Sequence, residues 1–103
     1  MSRILRMAEQ TTGFFDREME YALIDIAQTG SKRDSERAME LLIERNLGIA
    51  KTAAKHIHNQ EDFDDAVSAG ITGIIAAVNS FDQSKGGRLS TIATITVRQH
   101  IRR

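Results

Sequence analysis

The sequence predicts an all-α fold of about four helices, and three observations predict it. No proline occurs among the 103 residues, and proline chiefly punctuates strands, turns and kinks. Apolar residues recur at three- and four-residue spacing in three segments, the period of a helix face packed on a core. Hydrophobic residues make up 41% and charged residues 27%, a globular balance in a chain long enough for one domain and too short for a second sizeable core.

The elements follow in chain order. Residues 1–13 show no clear period and end in Thr11-Thr12-Gly13, which reads as a loosely ordered N-terminal extension before a helical domain over 14–103. A first helix is expected over 14–28, burying Phe15, Met19, Ala22, Leu23 and Ile26. Gly30 can close it in the left-handed C′ conformation, and Ser31 or Asp34 can cap the next helix. That second helix runs from residue 34 to about 58, with Ala38, Leu41, Leu42, Ile49, Ala50, Ala53, Ala54 and Ile57 on one face. Gly48 weakens it by about 1 kcal/mol relative to alanine, which points to a backbone contact or a bend.

Residues 58–61 form a short connection, and Asp62 is suited to cap a third helix from Phe63. Phe63, Val67, Gly70, Ile71, Ile74, Ile75 and Val78 make its stripe, and Phe81 plugs its end. Gly70 and Gly73 would let another helix come close. Residues 82–87 form a loop, after which Ser90 or Thr91 caps the last segment. Residues 91–97 are rich in β-branched side chains and read as a strand by propensity. A lone strand has nothing to pair with, so a helix is expected, burying Ala93, Val97 and Ile101 and presenting Ile95, Arg98, Gln99 and Arg102 elsewhere.

Several function classes find no support. The absence of cysteine removes disulfides, thiolate nucleophiles and cysteine-based zinc sites. No P-loop, HExxH, dinucleotide-binding glycine fingerprint or nucleophile elbow occurs, so neither an enzyme nor a cofactor is expected. His56 and His58 point to different sides of a helix and read as surface residues. The acids of residues 61–65 lack the sixth-position glycine and terminal glutamate of a calcium loop, and read as helix N-terminal acids. No apolar run approaches the ~20 residues of a membrane span and the start lacks a signal-peptide core, so a cytoplasmic location is expected.

The net charge of zero conceals a segregation. Residues 1–58 hold nine basic and nine acidic groups. Glu61, Asp62, Asp64, Asp65 and Asp82 then give a local minus five, and Lys85, Arg88, Arg98, Arg102 and Arg103 a local plus five. The basic end reads either as dipole compensation at a helix terminus or as a phosphate-binding face.

Four fragments carry a resemblance: Gln28-Thr29-Gly30-Ser31 with residues 37–47, Phe63-Asp64-Asp65-Ala66-Val67-Ser68-Ala69-Gly70, residues 73–82, and Leu89-Ser90-Thr91-Ile92-Ala93-Thr94 followed by Val97-Arg98-Gln99 and Ile101. In this order and spacing, over about residues 15–103, the chain resembles region 2, with the end of region 1.2, of primary-type bacterial RNA polymerase sigma factors. The resemblance implies a compact helical bundle and makes the last segment a helix. It implies binding to the β′ clamp coiled coil of core RNA polymerase through Asp65, Ser68, Ala69 and Ile71, flanked by Asp62 and Asp64. An acidic, partly apolar face suits a basic partner. Glutamine, glutamate and asparagine are commoner in the family than Ser68, Ala69 and Ile71, which implies a weaker contact or a different surface.

The resemblance further implies contact with the minus-ten promoter element through Lys85, Arg88, Leu89, Ile92, Ile95, Thr96, Arg98, Gln99, Arg102 and Arg103. The family places aromatics where this chain has Leu89, Ile92, Ile95 and Thr96, and those aromatics stack on flipped bases. Aliphatics forgo that stacking, worth ~1–3 kcal/mol per base, so strand opening is expected to be feebler or to need a co-activator. Gln99 matches the family, while Arg102 stands for the usual threonine and implies a different promoter preference. The sequence stops just after the region 2.4 match, as expected of either an excised domain or a compact, divergent, phage-encoded factor. The competing readings are a sigma mimic that occupies polymerase without opening DNA, a helical domain inserting its last helix into a major groove, and a bundle with no nucleic-acid role.

Overall fold

Ser2 opens the first helix: its hydroxyl accepts from the Leu5 amide at 3.1 Å, satisfying one of the donors that a helix start leaves free. Five α-helices are found among the described residues, 2–57 and 62–102 of a computed structural model, and no strand. They are α1 (Arg3–Gln10), α2 (Arg17–Thr29), α3 (Lys32–Ile57), α4 (Phe63–Ser80) and α5 (Leu89–Arg102), with a 3-10 turn at Gln83–Lys85 between the last two. The connection expected at 58–61, the His58 side of the histidine pair and the terminal Arg103 lie outside the described residues.

The expected loose extension is instead a helix that belongs to the core. Leu5 and Ala8 of α1 are wholly buried, in the same cluster as Leu23, Leu41, Phe81 and Leu89. A two-turn helix buries one i, i+3 pair, too short a pattern to register as a period. Arg45 of α3 fastens the link to α2 by donating to the carbonyls of Gly13 (2.7 Å) and Thr11, with its guanidinium 4.6 Å above the Phe15 ring. Arg37 pairs with Glu40 at 2.9 Å and reaches Glu9 of α1 at 3.6 Å. The Glu40 hydrogen bond raises its pKa.

Asp16 caps α2 through the Met19 amide at 2.8 Å. The buried face of α2 is Glu20, Leu23, Ile24 and Ala27, rotated from the expected one, which leaves Met19, Ala22 and Ile26 half-buried. The rotation follows from α2 packing against α1, α3 and α4 together rather than against one neighbour. Gly30 ends the helix in an extended conformation, φ −74°, not in the left-handed one, and Ser31 caps α3 by accepting from the Asp34 amide at 3.2 Å.

α3 buries Ala38, Leu41 and Leu42 in one cluster and Ala50 and Ala54 in a second. Ile49 packs against both. α4 bridges the same two clusters, with Ala66 and Ile74 in one and Ala77 and Val78 in the other, which Phe81 joins from the position just past the helix end. Its two glycines answer to different partners: a Cβ at Gly70 would lie 2.8 Å from Ala50 Cβ in α3, and one at Gly73 would lie 2.7 Å from Val97 Cα in α5. At the second crossing the Thr96 hydroxyl donates to the Gly73 carbonyl at 2.8 Å.

The loop into α5 is tied to α2. Gln83 Nε2 donates to the Tyr21 carbonyl (3.0 Å) and Asp25 Oδ1 (2.8 Å), the Tyr21 hydroxyl donates to the Gly87 carbonyl (2.6 Å), and Gln28 Nε2 donates to the carbonyls of Val78 (2.8 Å) and Phe81 (3.0 Å). Tyr21 and Phe81 meet edge to face at 5.5 Å. Asp82 accepts from the Ser84 hydroxyl (2.6 Å) and amide (3.0 Å), which lowers its pKa. α5 is helical despite its β-branched run because Leu89, Ala93, Val97 and Ile101 all become buried. Thr94 turns its hydroxyl back onto the Ser90 carbonyl at 2.8 Å.

Gly73→Ala is expected to cost about 1–3 kcal/mol, the scale of overpacking a close contact, because the atoms that meet the new methyl are α5 backbone. Urea denaturation of the variant against wild type measures it.

Candidate functional site

On α4 the acids sit at the N-terminal end, where Asp62, Asp64 and Asp65 are exposed. Negative charge there suits the positive end of the helix dipole. Asp62 stands at the N-cap position without a side-chain capping hydrogen bond to the helix. Asp64, Asp65 and Ser68 share the outward arc with Thr72, also exposed. Ala69 and Ile71 border that arc on opposite sides and are half-buried, Ala69 against the second core cluster. The sequence-derived polymerase set therefore has three exposed aspartates and an exposed serine, with half-buried apolar margins at Ala69 and Ile71.

α5 divides the expected DNA set differently. Ile92, Ile95, Arg98, Gln99 and Arg102 are exposed, Ile92 to 38% and Ile95 to 54%, and Lys85 is exposed in the preceding turn. Leu89 does not belong to that surface: it is wholly buried in the first core cluster. Thr96 is half-buried, its hydroxyl committed to Gly73. Arg88 is committed as well. Its Nε donates to Glu20 Oε2 at 2.9 Å and its Nη2 to the Phe15 carbonyl at 2.6 Å, and the Glu20 bond raises its pKa. Arg103 lies outside the described residues.

Glu20 is the residue that the sequence reading missed. Its side chain is 8% exposed, and the same Oε2 also accepts from the Leu89 amide at 3.1 Å. The start of α5 is thus capped by a carboxylate 69 positions away in the sequence, and not by Ser90 or Thr91 as expected. The available signal was an acid three and four residues before Leu23 and Ile24, in line with the buried stripe of α2.

Two neighbouring pockets lie in the groove beside α3 and α5, the second reaching Glu20 of α2 and the segment before it. One, of about 520 Å³, is lined by Thr52, His56, Thr94, Arg98 and Arg102. The other, of about 550 Å³, is lined by Phe14, Arg45, Asn46, Arg88 and Ser90. Gly48 and Ile49 line both. Phe14 is 88% exposed at the rim. The close contact expected at Gly48 is not found among the described residues: a Cβ built there would meet no neighbouring element within 4 Å, α3 continues through it, and it lines both pockets. No cluster of three metal-ligating side chains is found among the described residues, and no helix among them is long and apolar enough to cross a membrane.

The domain is all-helical among the described residues, with exposed aspartates on α4 and exposed arginines on α5, and comparison with known proteins shows its family. Residues 42–103 match the sigma-70 region 2 family, and the chain belongs to that family. It is 33% identical over 98% of its length to the RNA polymerase principal sigma factor HrdD of Streptomyces coelicolor, covering 28% of that protein. It is 37% identical over 78% of its length to the RNA polymerase sigma factor RpoS of Coxiella burnetii, covering 23%. It is 29% identical over 85% of its length to the RNA polymerase sigma factor SigA of Mycoplasma genitalium, covering 18%. The chain thus spans less than a third of these relatives. No solved structure matches it significantly. It is a sigma-factor domain.

Glu20→Ala is expected to cost about 2 kcal/mol, the scale of leaving a buried amide donor without an acceptor. The contribution of the Arg88 partner is reduced by its 40% exposure. Thermal or urea unfolding reads the loss. Amide exchange at Leu89 should accelerate more than exchange in the middle of α4.

Proposed function

We propose that the domain binds core RNA polymerase through the outer face of α4 and the minus-ten promoter DNA through α5 and the groove beside it. The observation that carries this reading is the separation of charge onto two exposed faces of helices that are packed together. Asp64 and Asp65 stand outward on α4, while Arg98 and Arg102 stand outward on α5, neither arginine in an ion pair among the described residues. The acidic face suits the basic β′ clamp coiled coil and speeds encounter with it. On α5, Arg98 and Lys85 supply phosphate contacts, while Gln99 and Arg102 reach base edges, glutamine suiting adenine and arginine guanine.

Leu89 and Thr96 drop out of the proposed DNA set, since the first is core and the second holds α4. Arg88 acts by shaping the end of the groove. Ile92 and Ile95 stay in the set as aliphatic wedges that insert between base steps, without the stacking of aromatics. A second reading rests on that substitution: a sigma-like domain that occupies polymerase without opening promoter DNA. Adding the chain to bacterial core RNA polymerase and offering pre-melted and intact DNA of randomised sequence separates the two. Selection of particular single-stranded sequences supports the promoter-reading function. Polymerase binding with no DNA selection supports the second reading, and absence of polymerase binding defeats both.

Asp65→Arg is expected to weaken polymerase binding about tenfold or more, an effect of ~1.4 kcal/mol or above, read by titration at fixed salt. Gln99→Ala is expected to relax selection at one promoter position and to leave non-specific affinity nearly unchanged. Equal loss on every template would make Gln99 a phosphate-positioning residue instead.

A further inference from the structure

α1 carries two arginines for which the fold gives no reason. Arg3, Arg6, Met7 and Gln10 stand at the i, i+3, i+4, i+7 spacing of one helical face, and all four are exposed, Met7 to 48%. The opposite face is the one that packs, through Leu5 and Ala8 with Ile4 beside them. The first turn of α1 holds no acid, and positive charge at the start of a helix runs against its dipole. Neither Arg3 nor Arg6 is in an ion pair among the described residues, whereas the one acid of α1, Glu9, meets Arg37. The stripe opposes its own helix and gains nothing from the rest of the chain.

We propose that this basic stripe is a docking surface for a second copy of the chain, and that it seats on the exposed aspartates of α4. Charge complementarity selects that occupant: Asp64 and Asp65 lead an exposed arc that Ser68 and Thr72 continue. The arc from Asp65 to Thr72 and the stripe from Arg3 to Gln10 cover the same number of positions, so at 1.5 Å per residue each extends about 10 Å. Met7, flexible and apolar, suits a margin made of half-buried Ala69 and Ile71. The two faces lie toward opposite ends of α3: α1 packs in the cluster of Ala38, Leu41 and Leu42, and the start of α4 in that of Ala50 and Ala54. One copy therefore does not pair its own faces. Setting like faces together would oppose aspartate to aspartate or arginine to arginine, which is repulsive, so the contact is heterologous, α1 of one copy on α4 of the next. A net charge of zero leaves no overall repulsion between copies. Two turns of helix cover less than the roughly 800 Å² per partner of a standard interface, so the association is weak and forms at high protein concentration. The contact covers Asp64 and Asp65. It therefore withholds the face offered to polymerase, a consequence that rests on the polymerase reading of α4, as the contact itself does not.

Sedimentation velocity of the full chain from micromolar to millimolar concentration, at low and high salt, tests the contact, with circular dichroism as the folding control. The mean mass of the wild type should rise with concentration and fall back toward the monomer at high salt, which screens exposed charge. Arg3→Glu with Arg6→Glu should weaken the association about tenfold or more while helix content holds, since acids suit the start of α1. Asp64→Arg with Asp65→Arg should weaken it likewise, and mixing the two charge-reversed chains should restore it. A wild type that stays monomeric throughout overturns the proposal, as does association that either variant leaves unchanged. Mixed variants that stay monomeric overturn the pairing of α1 with α4. A monomeric wild type whose α1 variant loses affinity for short duplex DNA assigns the stripe to nucleic acid instead. Failure of core RNA polymerase to bind the wild type at any concentration defeats the polymerase reading and leaves the self-association standing.

Discussion

The Glu20 carboxylate is the constraint on which the arrangement of this domain depends. A carboxylate at 6% residue exposure is tolerable only when its charge is met by donors, and here the donors come from the start of α5: the Leu89 amide and the Arg88 guanidinium. The bond joins residues 69 positions apart, so the seat of α5 in the folded domain depends on the position of α2. Arg88 extends the same network to the Phe15 carbonyl, and Arg45 holds the neighbouring Phe15 ring and the backbone of residues 11–13. The N-terminal third of the chain therefore sets where α5 begins.

α4 is the complementary constraint at the other side of α5. Its inner face is built of Ala66, Gly70, Gly73, Ile74 and Ala77, small enough for α3 and α5 to approach its backbone. Close approach turns a weak general attraction into many short contacts and fixes each crossing against sliding. The Thr96–Gly73 hydrogen bond adds a polar lock at one of them. The outer face, freed from packing, is left to aspartates and short polar residues. One helix thus supplies both the interior spine and the acidic surface.

Much of this was readable in the sequence, and the exceptions have physical causes. α3, α4 and the paired glycines of α4 were anticipated because long amphipathic stretches repeat their signal over many turns. The last helix was recognised against its β-branched composition because nothing offered a strand a partner. α1 was missed because two turns hold a single buried pair, and the face of α2 was rotated because three neighbours share it. In the candidate site, Asp65, Ile95, Arg98 and Gln99 are exposed at positions that the family resemblance singles out, with Asp64 exposed beside the first. Leu89 and Arg88 are not free, since their partners, the first core cluster and Glu20, are joined to them only by the fold. No local pattern encodes a contact between residues 20 and 89.

The firm seating of α5 has a consequence of scale. Held by Glu20 at its start, by Gly73 at its middle and by Gly70 against Ile101 near its end, the helix behaves as a ruler. From Ile92 to Arg102 its exposed side chains extend over about 15 Å at 1.5 Å per residue. That is the rise of roughly four stacked base steps at 3.4 Å each. Under the proposed reading of DNA by α5, a short, stiff gauge of this kind inspects only a handful of neighbouring nucleotides, and any wider reading frame comes from the DNA bending toward it or from a separate domain.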